Sequence, residues 1–371
     1  QNGAAEYQPE YAGLPARRSL RSRAVNTTSP ILWNRLRGHA AQIAMLRRAA
    51  SRNRLAHGYL FLGPAGVGKR IAARGLAQAL FCRETNEQEL QPCGQCPACR
   101  QVLAQTHPDL LEIGCPEGKR ELSIDLIAGA KERRGREGLC HDLSLRPMSA
   151  DRRVAIIDDA ERMNDESANA LLKTLEEPPP GSILILLASD LEPILPTIRS
   201  RCQPLWFTVL SNDDVAAILQ GEGLSAADAA KAAASSGGSL ETARKLMESG
   251  LAQLKSAVRA GLANPRSSSQ ALSAQVTEAI EAASSNTAEQ RENSAWAIQF
   301  AIDHFREILR TGSPDNFESQ DRAATSIERC YDALGHLEQS MPVPLCISGL
   351  FDDLGKIART GNTALHSPLL W

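Results

Sequence analysis

Gly63-Pro64-Ala65-Gly66-Val67-Gly68-Lys69 is the stretch whose residue types and spacing most plainly suit chemistry. It follows an apolar run and opens a helical one. In that context, glycines let backbone amides close around phosphate oxygens, a helix N-terminus favours the negative charge, and the lysine reaches the terminal phosphates. A metal-dependent site would next need Ser or Thr, whose hydroxyl ligates Mg²⁺. Here the residue is Arg70, whose guanidinium has no acceptor and repels the metal. A second apolar run, Val154-Ala155-Ile156-Ile157, ends at Asp158-Asp159. Asp158 stands where a carboxylate would face the metal. Hydrolysis would favour Glu after it to activate water, and Asp159 is one methylene shorter, where an ångström of misplacement can cost about a hundredfold in rate. Gly63, Gly66, Gly68, Lys69 and Asp158 are therefore candidate nucleotide-binding residues of a degenerate site. ATP hydrolysis is not expected, and binding of ATP or ADP stays open.

Cys93-Gly94-Gln95-Cys96-Pro97-Ala98-Cys99, with Cys82 eleven positions upstream, offers four thiols. Four thiolates suit a closed tetrahedral zinc site, which leaves no position for a reactive water, so the expected role is structural. An iron–sulfur cluster uses similar runs and is the competing metal. His107 lies nearby in Thr106-His107-Pro108-Asp109 and reads as a local structural residue, while Cys115, Cys140, Cys330 and Cys346 lack ligand spacing. A third stretch, Leu195-Pro196-Thr197-Ile198-Arg199-Ser200-Arg201-Cys202, places arginines in a polar turn. Taken alone, such arginines are ordinary surface residues.

The elements that must position these groups alternate. Tyr59–Leu62, Val154–Ile157 and Ile183–Leu187 are short unalternating apolar runs, as expected of parallel strands buried on both faces. A helix is expected from Arg70 to Phe81 and another from about Asn164 to Glu177. In the second, Asn164 can cap the start, Ala168, Leu171, Leu172 and Leu175 share a face, and Pro178-Pro179-Pro180 ends it. Strands alternating with helices make an α/β layer fold. After Phe207 the strands stop. Short helices follow, and then a longer helical region whose Trp296, Phe300 and Phe305 read as its own core.

Composition sets bounds on this reading. Hydrophobic residues make up 43% and charged residues 23% of 371, enough for two or three ordinary domains, and only 4% are aromatic. No run reaches the roughly 18 to 20 apolar residues of a membrane span, and no signal-peptide core is seen, so a cytosolic chain is expected. A formal net charge of −2 argues against a strong sequence-independent grip on DNA.

Taken in order, GPAGVGKR, the four-cysteine insertion, VAIIDDAERMN, LLKTLEEPPP and IRSRC resemble the clamp-loader branch of AAA+ proteins across about residues 31–207. Beyond that, only helical character is shared. The resemblance implies a RecA-like AAA+ domain with a parallel sheet at 31–207, carrying a zinc insertion at 82–99. A flexible basic extension at 1–30 would precede it; a helical lid at 208–250 and an all-α collar domain at 251–371 would follow. It further implies that Arg201 is an arginine finger acting on the ATP site of a neighbouring subunit. Arg70, Asp159 and Glu241, the last where a lid arginine is usual, make the chain resemble the delta-prime type more than the catalytic gamma/tau type. The implied partners are gamma/tau and delta, with the sliding clamp and primer-template DNA reached through the assembled complex. Two other classes stay in view: an active gamma/tau-like ATPase and a zinc-dependent nucleic-acid-binding module.

Overall fold

The computed structural model describes residues 29–116, 119, 121–247, 249–263, 269–284, 286–311, 316–339 and 341–360. The expected basic extension lies outside them apart from Ser29 and Pro30. Two compact units divide between Ala243 and Arg244.

The first unit runs α1 (Ala40–Ser51), β1 (Gly58–Leu62), α2 (Lys69–Phe81), α3 (Pro97–Ala104), β2 (Leu110–Ile113), α4 (Ile124–Ala128), α5 (Leu139–Ser144), β3 (Arg153–Ile157), α6 (Asp165–Glu176), β4 (Ser182–Ala188), α7 (Pro196–Arg199) and β5 (Gln203–Trp206). The five strands form one parallel sheet in the order β2-β3-β4-β1-β5, the RecA-like arrangement. Successive side chains of a strand point to opposite faces, and here both faces are covered. Tyr59, Phe61, Val154, Ile156, Ile183, Ile185 and Leu187 pack with α1, α2 and α3 on one side. Leu60, Leu62, Ala155, Ile157, Leu184 and Leu186 join residues of α4 to α7 on the other. That is why β1, β3 and β4 read as continuous apolar runs.

β2 and β5 are additional to the strands expected from sequence. Both are four-residue edge strands, and β5 carries Pro204, which an edge tolerates because one side of the strand needs no donor. Their half-exposed residues give no unbroken apolar signal. α6 matches its expected span, with Asn164 Oδ1 accepting from the Ser167 amide at 3.0 Å.

α8 (Asn212–Gly221), α9 (Ala226–Ser235) and α10 (Leu240–Lys245) follow. Leu210, Val215, Leu219, Ala229, Ala233 and Ala243 form their own small core. The second unit holds α11 (Ser249–Ala263), α12 (Ser269–Ala282), α13 (Thr287–Thr311), α14 (Phe317–Glu338) and α15 (Val343–Thr360). Its core includes Leu254, Val276, Ile298, Phe300, Ile347 and Phe351, with Trp296 and Phe305 packed at its margin.

One buried carboxylate organises the approach to β3. Asp109 accepts from the amides of Met148 (2.6 Å), Ser149 (2.8 Å) and Ala150 (2.9 Å), and its carbonyl accepts from the Val154 amide at 3.0 Å. Burial alone would raise its pKa. Those amides and the Ser149 hydroxyl outweigh burial and hold the carboxyl below its usual range. A depressed carboxylate contributes stability that is fully present above the unfolded value of 3.8 and is lost as pH falls through the lower folded value. We expect Asp109→Ala to cost about 2–3 kcal/mol, lowering the first melting transition by roughly 5–10 °C at pH 7. Asp109→Asn should remove part of the acid sensitivity of that transition. Wild-type melting in the Asp109→Ala variant would contradict the assignment.

Candidate nucleotide loop, metal cluster and arginine turn

The parallel sheet has two ends, and the candidate residues divide between them. At the carboxyl end, β1 leads into the glycine loop. Gly63, Gly66 and Gly68 all have positive φ (147°, 75° and 109°), and a Cβ on Gly63 would lie 2.1 Å from the Phe207 carbonyl oxygen. Only glycine fits that turn. Lys69 opens α2, is buried, and donates to the carbonyls of Gly63 and Pro64 (2.8 Å for the latter). Burial lowers its pKa; Glu161, Asp159 and Glu241 oppose that shift.

Asp158 follows β3 and is ion-paired with Arg70. Asp159 has φ +55°, a left-handed conformation that Asp tolerates better than most residues, and its amide donates to Asp158 Oδ1 at 3.1 Å. At the two positions where a hydrolysing loop would hold a divalent metal, Arg70 and Asp158 thus pair with each other instead. The structure brings Gly63, Gly66, Gly68, Lys69 and Asp158 to one end of the sheet.

Three groups at this end were not singled out from sequence. Ser239 Oγ donates to the Ala65 carbonyl at 2.8 Å, and the Leu240 amide donates to the Gly66 carbonyl at 3.3 Å, so the start of α10 sits on the loop. A Cβ on Gly66 would lie 2.5 Å from the Glu241 amide nitrogen. Glu161 accepts from the Ser189 amide beyond β4 at 3.1 Å. His39, buried at the start of α1, reaches the Val67 carbonyl at 3.0 Å, and burial lowers its pKa. For Glu161 the only signal was its place two residues after Asp159; His39 gave none.

Cys82 caps the end of α2, Cys93 and Cys96 lie on the turn into α3 and Cys99 in its first turn, with their sulfurs all within 4.8 Å of one another. Cys93 Sγ and Cys99 Sγ are 4.0 Å apart, close to the ~3.8 Å edge of a tetrahedron with metal–sulfur bonds of about 2.3 Å. Backbone amides point at the sulfurs: Cys93 to Cys82 (3.3 Å), Cys96 to Cys93 (3.3 Å) and Cys99 to Cys96 (3.5 Å). Burial opposes ionisation of Cys82, but the Cys93 and Glu84 amides beside its sulfur help to outweigh it, and the thiol is brought down to about 6. The donor set suits one tetrahedral ion, since a multi-iron cluster holds its thiolates farther apart. His107 stands outside the group, stacked on Phe81 at 4.2 Å.

Arg201 lies at the opposite end of the sheet. The register Tyr59↔Gln203 sets it level with the start of β1, and a Cβ on Gly58 would lie 3.2 Å from its carbonyl oxygen. The glycine loop leaves the far end of β1, roughly 17 Å away at about 3.3 Å per residue. Its guanidinium is partly exposed. Nη2 pairs with Glu176 at 2.8 Å, and Nη1 donates to the Thr197 carbonyl at 3.0 Å. Arg199 instead donates to the carbonyls of Ile194 (2.6 Å) and Glu192 (3.2 Å), a structural role.

Known proteins share this pattern. The family profile described as DNA polymerase III, delta subunit, matches residues 38–211. The chain is 33% identical over 225 residues to the DNA polymerase III subunit delta' of Pseudomonas aeruginosa, covering 60% of this chain and 65% of that protein. Residues 38–211 are thus similar in sequence to DNA polymerase III subunits described as delta, delta' and tau. The Bacillus subtilis delta' subunit is 34% identical over 166 residues, 45% of this chain and 46% of that protein. Its tau subunit is 32% identical over 170 residues, 46% and 28% respectively. The chain thus spans less than two thirds of the length of these relatives. A gamma-subunit-related protein of Thermotoga maritima overlaps 86% of this chain and 100% of its own at 18% identity, but with a TM-score of 0.39 the likeness carries no argument. Among the described residues, no helix is long and apolar enough to cross a membrane.

We expect the purified chain to carry about one tetrahedral metal ion, measured by elemental analysis, and Cys93→Ser to lose most of it together with several degrees of melting temperature. Several iron atoms with acid-labile sulfide would contradict the single-ion geometry.

Proposed function

We propose that this chain is a non-hydrolysing clamp-loader subunit that completes the ATP site of a gamma/tau neighbour by supplying Arg201 in trans. The observation that carries the reading is the placement of Arg201 at the end of the sheet opposite the chain's own phosphate loop. Its partly exposed guanidinium is held on the turn before β5, at the end of the sheet away from Lys69. A group so placed cannot serve its own loop, but it can serve a subunit docked against that edge. There it would stabilise charge on the transferring phosphoryl group, a contribution of about 10³ to 10⁵ in rate.

The chain's own loop supports the silent half of the proposal. Arg70 replaces the metal-binding hydroxyl and engages Asp158, Asp159 replaces the longer acid, and Glu241 stands beside Gly66. The cysteine cluster would hold structural zinc and brace α2 against α3. In the assembly, this chain would stand with gamma/tau and delta and act on the sliding clamp and primer-template DNA. Residues 208–250 would serve as the lid and 251–371 as the collar that joins the subunits.

The test is a reconstituted complex of gamma/tau, delta and this chain, with clamp and primer-template DNA, followed through one turnover. Arg201→Ala should abolish the fast phase of hydrolysis at the site it completes, a loss of roughly 10³-fold there, while this chain alone turns over no ATP. Robust turnover by the isolated chain would return it to the active ATPase class.

A further inference from the structure

We propose that Glu176 is the positioning residue for Arg201, fixing the guanidinium plane so that its remaining donors meet a phosphate of the neighbouring subunit. The inference rests on the trans-finger reading above and adds a residue to it.

Glu176 is the last residue of α6, immediately before the turn into β4. Its Oε1 lies 2.8 Å from Arg201 Nη2. The Thr197 carbonyl and the Ser200 hydroxyl accept from Nη1 at 3.0 and 3.3 Å. A guanidinium is a rigid planar fork with five donors. Anchoring Nη1 to the backbone of its own turn and Nη2 to a carboxylate from another helix determines the orientation of the plane. The Nε proton and one Nη2 proton stay available for an incoming oxyanion. Without Glu176, only Nη1 stays anchored, to Thr197 and Ser200 of its own turn, and the plane can rotate about that end.

The site of anchoring is also electrostatically apt. A helix C-terminus carries partial negative charge that favours a cation beside it, and Arg201 sits where α6 ends. α6 itself begins at Asp165, capped by Asn164, a short way beyond Asp158 and Asp159, and is locked by its buried face against the sheet. Its end is therefore a fixed point rather than a loop. The pair is half-exposed, with side-chain accessibilities of 35% for Arg201 and 50% for Glu176. Exposed ion pairs add little to folding stability, so the pair's consequence should be seen in orientation rather than in melting temperature. Misplacing a reacting group by about an ångström can cost roughly a hundredfold, and that is the scale on which loss of the anchor should act.

The experiment uses the full reconstituted complex with clamp and primer-template DNA, carrying this chain as wild type, Glu176→Gln, Glu176→Asp, Arg201→Ala or the Glu176→Gln/Arg201→Ala double variant. Glu176→Gln should lower the kcat for hydrolysis at the completed site by roughly 10- to 100-fold, with the KM for ATP and the melting temperature unchanged. Glu176→Asp should recover part of the loss. The double variant should be no slower than Arg201→Ala alone, because the carboxylate acts only through the arginine.

A Glu176→Gln complex that turns over like wild type while Arg201→Ala fails would overturn the positioning role and leave the finger standing. A double variant markedly slower than Arg201→Ala would overturn it as well, by showing that Glu176 acts independently. Arg201→Ala turning over normally would overturn the finger reading and this inference together.

Discussion

Burial of the central sheet on both faces is the constraint from which the rest of the first unit follows. Every position of β1, β3 and β4 is buried, so polar chemistry has room only where strands begin or end. Parallel strands then make the two ends unlike. The carboxyl end collects the glycine loop after β1, the paired aspartates after β3 and the Ser189 amide after β4. The amino end collects Arg201 before β5 and Glu176 ahead of β4. An arginine turn and a glycine loop at opposite ends of one sheet cannot close on each other, which is the arrangement the proposed trans role of Arg201 needs.

At the carboxyl end the charges satisfy one another. Arg70 pairs with Asp158, and Lys69 faces Glu161, Asp159 and Glu241 while donating to the loop's own carbonyls. Ser239 and Leu240 add donors from α10 to two further loop carbonyls. A loop of the kind that phosphate and metal can organise is here organised by side chains and backbone of the same chain. The turn keeps its glycines because the Phe207 carbonyl and the start of α10 press against it, a packing reason that needs no nucleotide.

Much of this was legible in the residues, and the exceptions have physical causes. The three central strands were readable because both faces are apolar, whereas β2 and β5 sit at the edges and lack that signal. The cysteine cluster was readable because its ligands are close in sequence, three of them within seven positions. The clasp of Ser239 and Leu240 on the loop joins residues more than 170 apart and could not be read from local pattern. Nor could the pairing of Glu176 with Arg201, since one lies at a helix end and the other in a polar turn far along the chain, and each charge suits solvent equally well. The α/β layer class came from the period of the apolar runs and the four-thiol set from its spacing; the RecA-like class and the role assigned to Arg201 came from the resemblance, and the single-ion geometry came from the sulfur separations in the folded chain.

The account turns on where the Arg201 guanidinium lies when a neighbour's phosphoryl group is in flight. A structure of the assembled complex trapped with ADP and aluminium fluoride measures this directly. The account expects the guanidinium within hydrogen-bonding reach, about 3 Å, of fluoride bound in the neighbouring subunit's loop, with Glu176 still against its other edge and no fluoride complex in this chain's own loop. Fluoride and nucleotide in the loop at Lys69, with Arg201 remote from any nucleotide, would contradict it.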